Sequence, residues 1–312
     1  MFGDGLRLIA RHGRLCLVLG LLAGFTLPSL AAAMKPALPA LVAGLVFLTA
    51  LRIGHRSAFG SLRQARASLG LVMAFQVAVP VLAITGLNLG GVNGTAAGLA
   101  VVLALAAPSV SGGPMFTALL GYDPAPAMRL LILGTALLPL TVIPVFWLVP
   151  SLGGLEVVIA AALRLTIVIA GAAAAGFVVR RLVFSKPSKD TIAAFDGLAA
   201  VVLAIIVVGL MSAVGPALHS EPAALAGWLA LACLVNFGMQ VICFTVHCRR
   251  GQVAEAVPVS VVAGNRNIAL FLVALPTGIT DPVLTFIGCY QVPMYLTPIL
   301  MRHIYGAPPA HA

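Results

Sequence analysis

The stretch SVVAGNRNIALF, residues 260–271, sets a glycine, two asparagines and an arginine in the middle of a long apolar run. An arginine buried in hydrocarbon costs between about 2.5 and 17 kcal/mol, depending on how the cost is measured. A second apolar run is interrupted at APSVSGGPMFT, residues 107–117. Pro108 and Pro114 lack an N–H, and a proline inside a helix clashes with the carbonyl four residues back. Gly112 and Gly113 each cost a helix about 1 kcal/mol relative to alanine. Broken helices are tolerated at membrane depth only where protein or water meets the freed backbone groups. These two interruptions therefore organise the reading of the whole chain.

The runs around them are membrane spans. Of the 312 residues, 61% are hydrophobic and 8% charged, whereas a soluble domain carries roughly 25% charged residues. Runs of about 20 apolar residues, enough to cross a bilayer, recur along nearly the whole length. The short alternating segments of a membrane β-barrel are absent. The fold class expected is an all-α polytopic membrane protein. Ten spans are predicted, at about 15–34, 36–54, 68–86, 95–120, 127–149, 155–179, 191–215, 222–247, 253–276 and 282–304.

The charges agree with that count. Even-numbered connections and the two termini hold fifteen of the eighteen Lys and Arg, Arg56 and Arg63 among them, while odd-numbered connections hold only Lys35. Arg164 and Arg266 fall within spans. By the positive-inside rule both termini are cytoplasmic, and Glu156, Glu221 and Asp281 lie outside. The net charge of +10 is thus a topology signal, and no nucleic-acid partner is expected. The location implied is the cell inner (plasma) membrane, crossed many times. The N-terminal basic, apolar and small-residue pattern resembles a secretory signal, but the run to Met34 is long enough to span and is read as a retained helix. The five cysteines lack CxxC spacing, so no metal site or redox pair is expected, and no cofactor either.

Ten spans divide at PSLGGLE (150–156) into residues 1–149 and 150–312, five spans each. An odd number per half inverts the second half in the membrane, the arrangement of inverted-repeat transporters, and interrupted helices in matching positions of the halves point to a binding site. The fourth and ninth helices are those interrupted here. Where such breaks cross, helix N-termini favour anions and freed carbonyls favour cations.

At these residues the chain resembles the bile acid:sodium symporter family and its wider superfamily. The resemblance covers nearly the whole chain and implies ten helices, two inverted five-helix repeats and crossing broken helices 4 and 9. Sodium-coupled members carry Glu-x-Gly-x-Gln-Asn in the ninth helix. Here Gly264 and Asn267 match, Val262 stands at the acidic position and Arg266 at the glutamine. In the fourth helix the family's Gly-Gly-Thr-x-Ser-Asn reads Gly112, Gly113, Pro114, Met115, Phe116, Thr117. The resemblance also implies ion ligands at Gln76, four residues before Pro80 rather than the usual five, and at Thr135 on the fifth helix.

The departures have consequences. No Asp or Glu lies in the middle of a span, since Asp196 and Glu255 fall near cytoplasmic ends. An arginine repels a cation by about 4 kcal/mol at 4 Å and an effective dielectric of 20. Sodium coupling by the family's mechanism is not expected, and no midplane histidine offers a proton relay: His55 and His311, like the others, lie near span ends or in tails. Arg266 stands about thirteen residues into its span, roughly 20 Å at 1.5 Å per residue. Its planar fork suits a carboxylate or a sulfate held bidentately. Either Arg266 binds a substrate anion or it ties the ninth helix to freed carbonyls of the fourth, and the two are compatible. The substrate-binding set expected is Gly112, Gly113, Thr117, Gly264, Asn265, Arg266 and Asn267. Arg164 faces a cavity or pairs with a helix C-terminus. Asn236 and Gln240 share a face of the eighth helix and serve interhelical hydrogen bonds or a ligand.

Two functions follow. The first is a secondary transporter that moves a small organic anion by alternating access, with degraded sodium sites. The second is a non-transporting sensor or partner subunit of the same fold. No enzyme is expected, since HExxH, GxSxG and nucleotide-binding loops are all missing.

Overall fold

Leucine, alanine and valine dominate the apolar runs, and with the backbone polar groups satisfied inside each helix these runs need no partner strand. The computed structural model describes residues 2–54 and 65–306. The connection holding His55, Arg56 and Arg63 and the tail with His311 lie outside the described residues. In chain order the helices are α1 (Phe2–Arg11), α2 (Gly13–Thr26), α3 (Pro28–Met34), α4 (Leu38–Ile53), α5 (Ala65–Met73), α6 (Val79–Leu89), α7 (Ala96–Ala106), α8 (Gly113–Leu119) and α9 (Ala125–Trp147). There follow α10 (Leu155–Leu182), α11 (Lys189–Leu210), α12 (Val214–Ser220), α13 (Pro222–Arg249), α14 (Val253–Gly264), α15 (Phe271–Ala274), α16 (Thr277–Thr280), α17 (Leu284–Leu300) and α18 (Arg302–Tyr305). A π turn, Ala74–Ala78, joins α5 to α6.

The protein is all-α, and seven of its helical stretches among the described residues are long and apolar enough to cross a membrane. They are Pro28–Ile53, Arg66–Leu89, Ala125–Trp147, Leu155–Leu182, Lys189–Ser220, Pro222–Arg249 and Thr277–Leu300. Large apolar side chains such as Leu82, Trp147, Ile167 and Leu234 stand exposed on their outer faces, as lipid contact requires. The other three expected spans are divided. The run 95–120 becomes α7, an extended segment and α8. The run 253–276 becomes α14, a break, a 3-10 turn (Ile268–Leu270) and α15. The run 15–34 splits at Leu27, which leaves helical geometry (φ −120°, ψ 69°) just before Pro28, as a residue preceding proline is driven to do.

The chain forms two compact units, residues 1–60, 163–225 and 269–288 in one, and 61–162, 226–268 and 289–312 in the other. In the first, α2 and α4 flank α11. A Cβ on Gly20 would stand 2.8 Å from the Ala204 carbonyl, and one on Gly209 2.8 Å from a Leu38 methyl. Small residues let these helices touch backbone to backbone, as membrane helices commonly do. Gly24 meets Val208 and Met211, while Leu38 meets Gly209 and Leu48 meets Phe195. So α2 runs with α11 and α4 runs against it, and the chain reverses between Thr26 and Leu38. Ion pairs Arg7–Asp190 (2.9 Å) and Arg52–Asp196 close one end, and Lys35–Asp281 (2.9 Å) the other. These pairs are half exposed and each is worth about 1 kcal/mol or less.

In the second unit α9 packs on α5, α8 and α14, over a core of Val72, Phe75, Leu130, Leu133, Val259 and Val262. The α6–α7 hairpin turns at Gly91, whose φ of 69° suits glycine alone, and Thr95 caps α7 by accepting from the Gly98 N–H at 3.1 Å.

Candidate functional site

Both breaks lie in this second unit, and they meet. Ala107 precedes Pro108 and is extended (φ −64°, ψ 151°), which ends α7 at Ala106. Asn265 is extended as well (φ −95°, ψ 91°), its side-chain amide turned back onto the Val261 carbonyl at 2.8 Å. Asparagine competes with helical hydrogen bonds in this way and so suits a helix end. The two extended pieces pair antiparallel through a single bridge, Ser109 opposite Arg266. The Val110 N–H donates to the Asn265 carbonyl (2.9 Å), and the Asn267 N–H to the Pro108 carbonyl (2.8 Å). Breaking two helices frees backbone donors and acceptors, and this crossing satisfies four of those groups with two hydrogen bonds.

Side chains satisfy others. The carbonyl of Gly264, last residue of α14, accepts from Asn236 Nδ2 (2.7 Å) and from the Tyr290 hydroxyl (2.6 Å). Asn265 Oδ1 accepts from Thr297 (3.0 Å) and, longer, from Asn236 (3.4 Å). Gln240 Nε2 donates to Asn236 Oδ1 (2.7 Å) and to Thr297 Oγ1 (3.0 Å), while its Oε1 accepts from Tyr305 (2.8 Å). The shared face of Asn236 and Gln240 thus serves interhelical hydrogen bonds. Asn236, Gln240, Asn265, Tyr290 and Thr297 are fully buried, so a hydrophobic substitution at one strands its partners.

Arg266 is 3% exposed. Its Nε donates to the Ala263 carbonyl (2.8 Å) and its Nη1 to the Ala107 carbonyl (3.0 Å). The guanidinium carbon lies 5.0 Å from the centroid of Phe75, within cation–π range. Those two carbonyls stand at the C-terminal ends of α14 and α7. Each helix C-terminus carries roughly half a negative charge, so two of them offset the guanidinium without a carboxylate. Nη2 is buried and has no hydrogen-bond partner among the described residues. Two of its N–H bonds are therefore open to an acceptor that enters the crossing.

The remaining expected residues fall as follows. Gly264 is the contact point with α13, where a Cβ would stand 2.3 Å from the Asn236 carbonyl oxygen. Gly113 sits under Ser109, and Gly112 precedes α8. The buried Thr117 hydroxyl donates to the Gly113 carbonyl (3.0 Å) within its own helix. Asn267 is half-buried. Gln76 lies within the π turn, where its Nε2 donates to the Gly134 carbonyl (3.0 Å) and its Oε1 accepts from Thr141 (2.8 Å). Thr135 is half-buried and its hydroxyl makes no hydrogen bond among the described residues; Thr141, one helical turn and a half further along α9, is the hydroxyl that Gln76 meets. Arg164 donates to the Ala274 carbonyl at 3.4 Å, at the C-terminus of α15, which is the helix-end pairing expected as one alternative.

Sequence reasoning missed Tyr290, Thr297 and Tyr305. A signal existed: Tyr290 and Thr297 stand seven apart in α17, on one face. No protein-family model matches the chain, and no curated protein matches its sequence.

Proposed function

We propose that the protein is a secondary transporter of a small organic anion, working by alternating access in the manner of the bile acid:sodium symporter superfamily that its motifs resemble. The observation that carries this reading is the crossing: two broken apolar helices bridged at Ser109 and Arg266 around a buried cation whose Nη2 has no partner among the described residues. Such a crossing concentrates backbone polarity and charge where a merely structural span has neither.

The ten-span inverted repeat is supported by the way the units draw on the sequence. Expected spans 1, 2 and 7 and most of 6 fall in the first unit, and spans 3, 4 and 5 and most of 8, 9 and 10 in the second, so the larger part of each span shares a unit with that of its counterpart five further on. Lys35 and Asp281, both expected outside, form an ion pair. In a variant stripped of the native cysteines, single cysteines at Gly90 or Ser220 should react with an impermeant thiol reagent added outside intact cells. Reaction only after permeabilisation would overturn the topology.

Arg266 stands where a bound cation would meet the freed carbonyls, so the protein needs no sodium to hold the crossing together. Uptake into proteoliposomes should therefore change less than twofold when sodium is replaced by potassium at constant ionic strength. A tenfold loss of affinity, about 1.4 kcal/mol, would show a sodium site built from other ligands. The same vesicles test the second reading, a non-transporting sensor or partner subunit, which is favoured by the two guanidinium nitrogens already committed to backbone. That reading requires ligand binding without uptake under any imposed sodium, proton or voltage gradient.

A further inference from the structure

A cleft of about 130 Å³ opens in the second unit where the first turns of α5, α9 and α14 converge. The helices α9 and α14 begin beside it, and a helix start carries partial positive charge. Two side chains there are under-used. Ser68 is 7% exposed and lines the cleft, and its hydroxyl makes no hydrogen bond among the described residues. Arg129 lines it too, and its one polar contact among the described residues is Glu255, with Nη2 3.6 Å from Oε1. A charge-assisted hydrogen bond is 2.7–2.9 Å long, so this is a loose pair that leaves the guanidinium fork open. Leu71, Leu130 and Val259 make the floor apolar.

We propose that this cleft binds a short-chain carboxylate, with Arg129 and Ser68 holding the carboxylate group and Glu255 acting as a tethered competitor for Arg129. The forked guanidinium matches two carboxylate oxygens, and the serine hydroxyl supplies one further donor. The floor takes an alkyl tail of two or three carbons. The size agrees: an apolar cavity near 150 Å³ holds benzene, a ligand of six heavy atoms, and butyrate has six. Phosphate would bring more acceptor oxygens than Arg129 and Ser68 serve, and nothing for the leucines and valine to cover. The charged groups facing the cleft are Arg129 and Glu255, with exposed Arg66 beside it on α5. The proposal does not depend on transport and is separate from the crossing at Arg266.

The test is equilibrium binding of radiolabelled butyrate to the full chain in detergent, for wild type, Glu255→Gln, Arg129→Gln and the double variant. Arg266 is intact in all four, so any binding at the crossing adds the same background to each. Removing the competitor in Glu255→Gln should tighten binding about tenfold. Arg129→Gln should weaken it at least tenfold, and in the double variant the tightening should vanish. Ser68→Ala should lose about threefold. The proposal is overturned if Glu255→Gln leaves affinity unchanged or lower, if its tightening persists without Arg129, or if neither wild type nor Glu255→Gln binds saturably. Arg129 and Glu255 form a partly exposed pair worth about 1 kcal/mol or less, so these variants keep the fold.

Discussion

Gly264→Ala should lower the melting temperature of the detergent-solubilised protein sharply, while Gly113→Ala and Gly112→Ala leave it nearly unchanged. In Gly264 the added Cβ would stand 2.3 Å from the Asn236 carbonyl oxygen and 2.4 Å from Gln240 Cγ. Overpacking typically costs 1–3 kcal/mol and sometimes more, and here the nearest atom is backbone, which cannot rotate away. The gain of about 1 kcal/mol in helix propensity from glycine to alanine does not offset that. The carbonyl of Gly264 also accepts from Asn236 and Tyr290, so pushing α14 off α13 breaks those bonds as well. At Gly113 the Cβ meets Ser109 Oγ at 2.8 Å, and a serine hydroxyl can turn to another rotamer. At Gly112 it meets the far edge of Phe116 at 3.4 Å, close to an ordinary contact. Thermal unfolding of the three single variants decides. Equal melting of Gly264→Ala and wild type would mean that α13 and α14 do not touch at this point.

The two helix breaks were legible because Pro108, Pro114, Asn265 and Arg266 are poor helix-interior or hydrocarbon residues, and local chemistry of that kind acts wherever the chain goes. What Arg266 would touch was less legible. Its acceptors are the backbone carbonyls of Ala107 and Ala263, a group that every residue carries and no sequence position advertises. The three site glycines looked alike in the sequence, and only packing separates a contact glycine from one that stands beside a side chain free to move. Gln76 was found through a family pattern with a spacing one residue short of the usual one. In the fold it sits in a π turn, where the hydrogen bonds run i to i+5 and the local register shifts. The hydroxyl it meets is that of Thr141, which no pattern in the sequence marked. The first expected span was split because Pro28 forces Leu27 out of the helix, a rule that applies at this position as it does at Ala107.

Arg266→Gln should weaken binding of the proposed organic-anion substrate at least tenfold in a protein that still folds, and Arg266→Lys should bind with intermediate affinity. A hydrogen bond to a charged group contributes about 1.5–3 kcal/mol, and Nη2 is the donor an entering anion would reach. Stability moves differently. In the glutamine variant the Ala107 or the Ala263 carbonyl loses its donor, and an unsatisfied buried acceptor costs about 1–3 kcal/mol. Against that, a guanidinium without a carboxylate partner no longer has to be kept out of water, and desolvating a charge costs several kcal/mol. The two nearly cancel, so the melting temperature of Arg266→Gln should lie within a few degrees of wild type. Lysine keeps the charge between the two helix C-termini but concentrates it at one nitrogen. It can hold the Ala107 carbonyl, yet it loses the forked geometry that leaves Nη2 available. A purely structural arginine predicts another order: both variants melt well below wild type, and whatever binding survives has near-normal affinity. The pair of measurements therefore separates the roles. A stable glutamine variant that binds the anion with undiminished affinity would remove Arg266 from the binding site, and leave it the task of fastening α14 to α7 across the crossing.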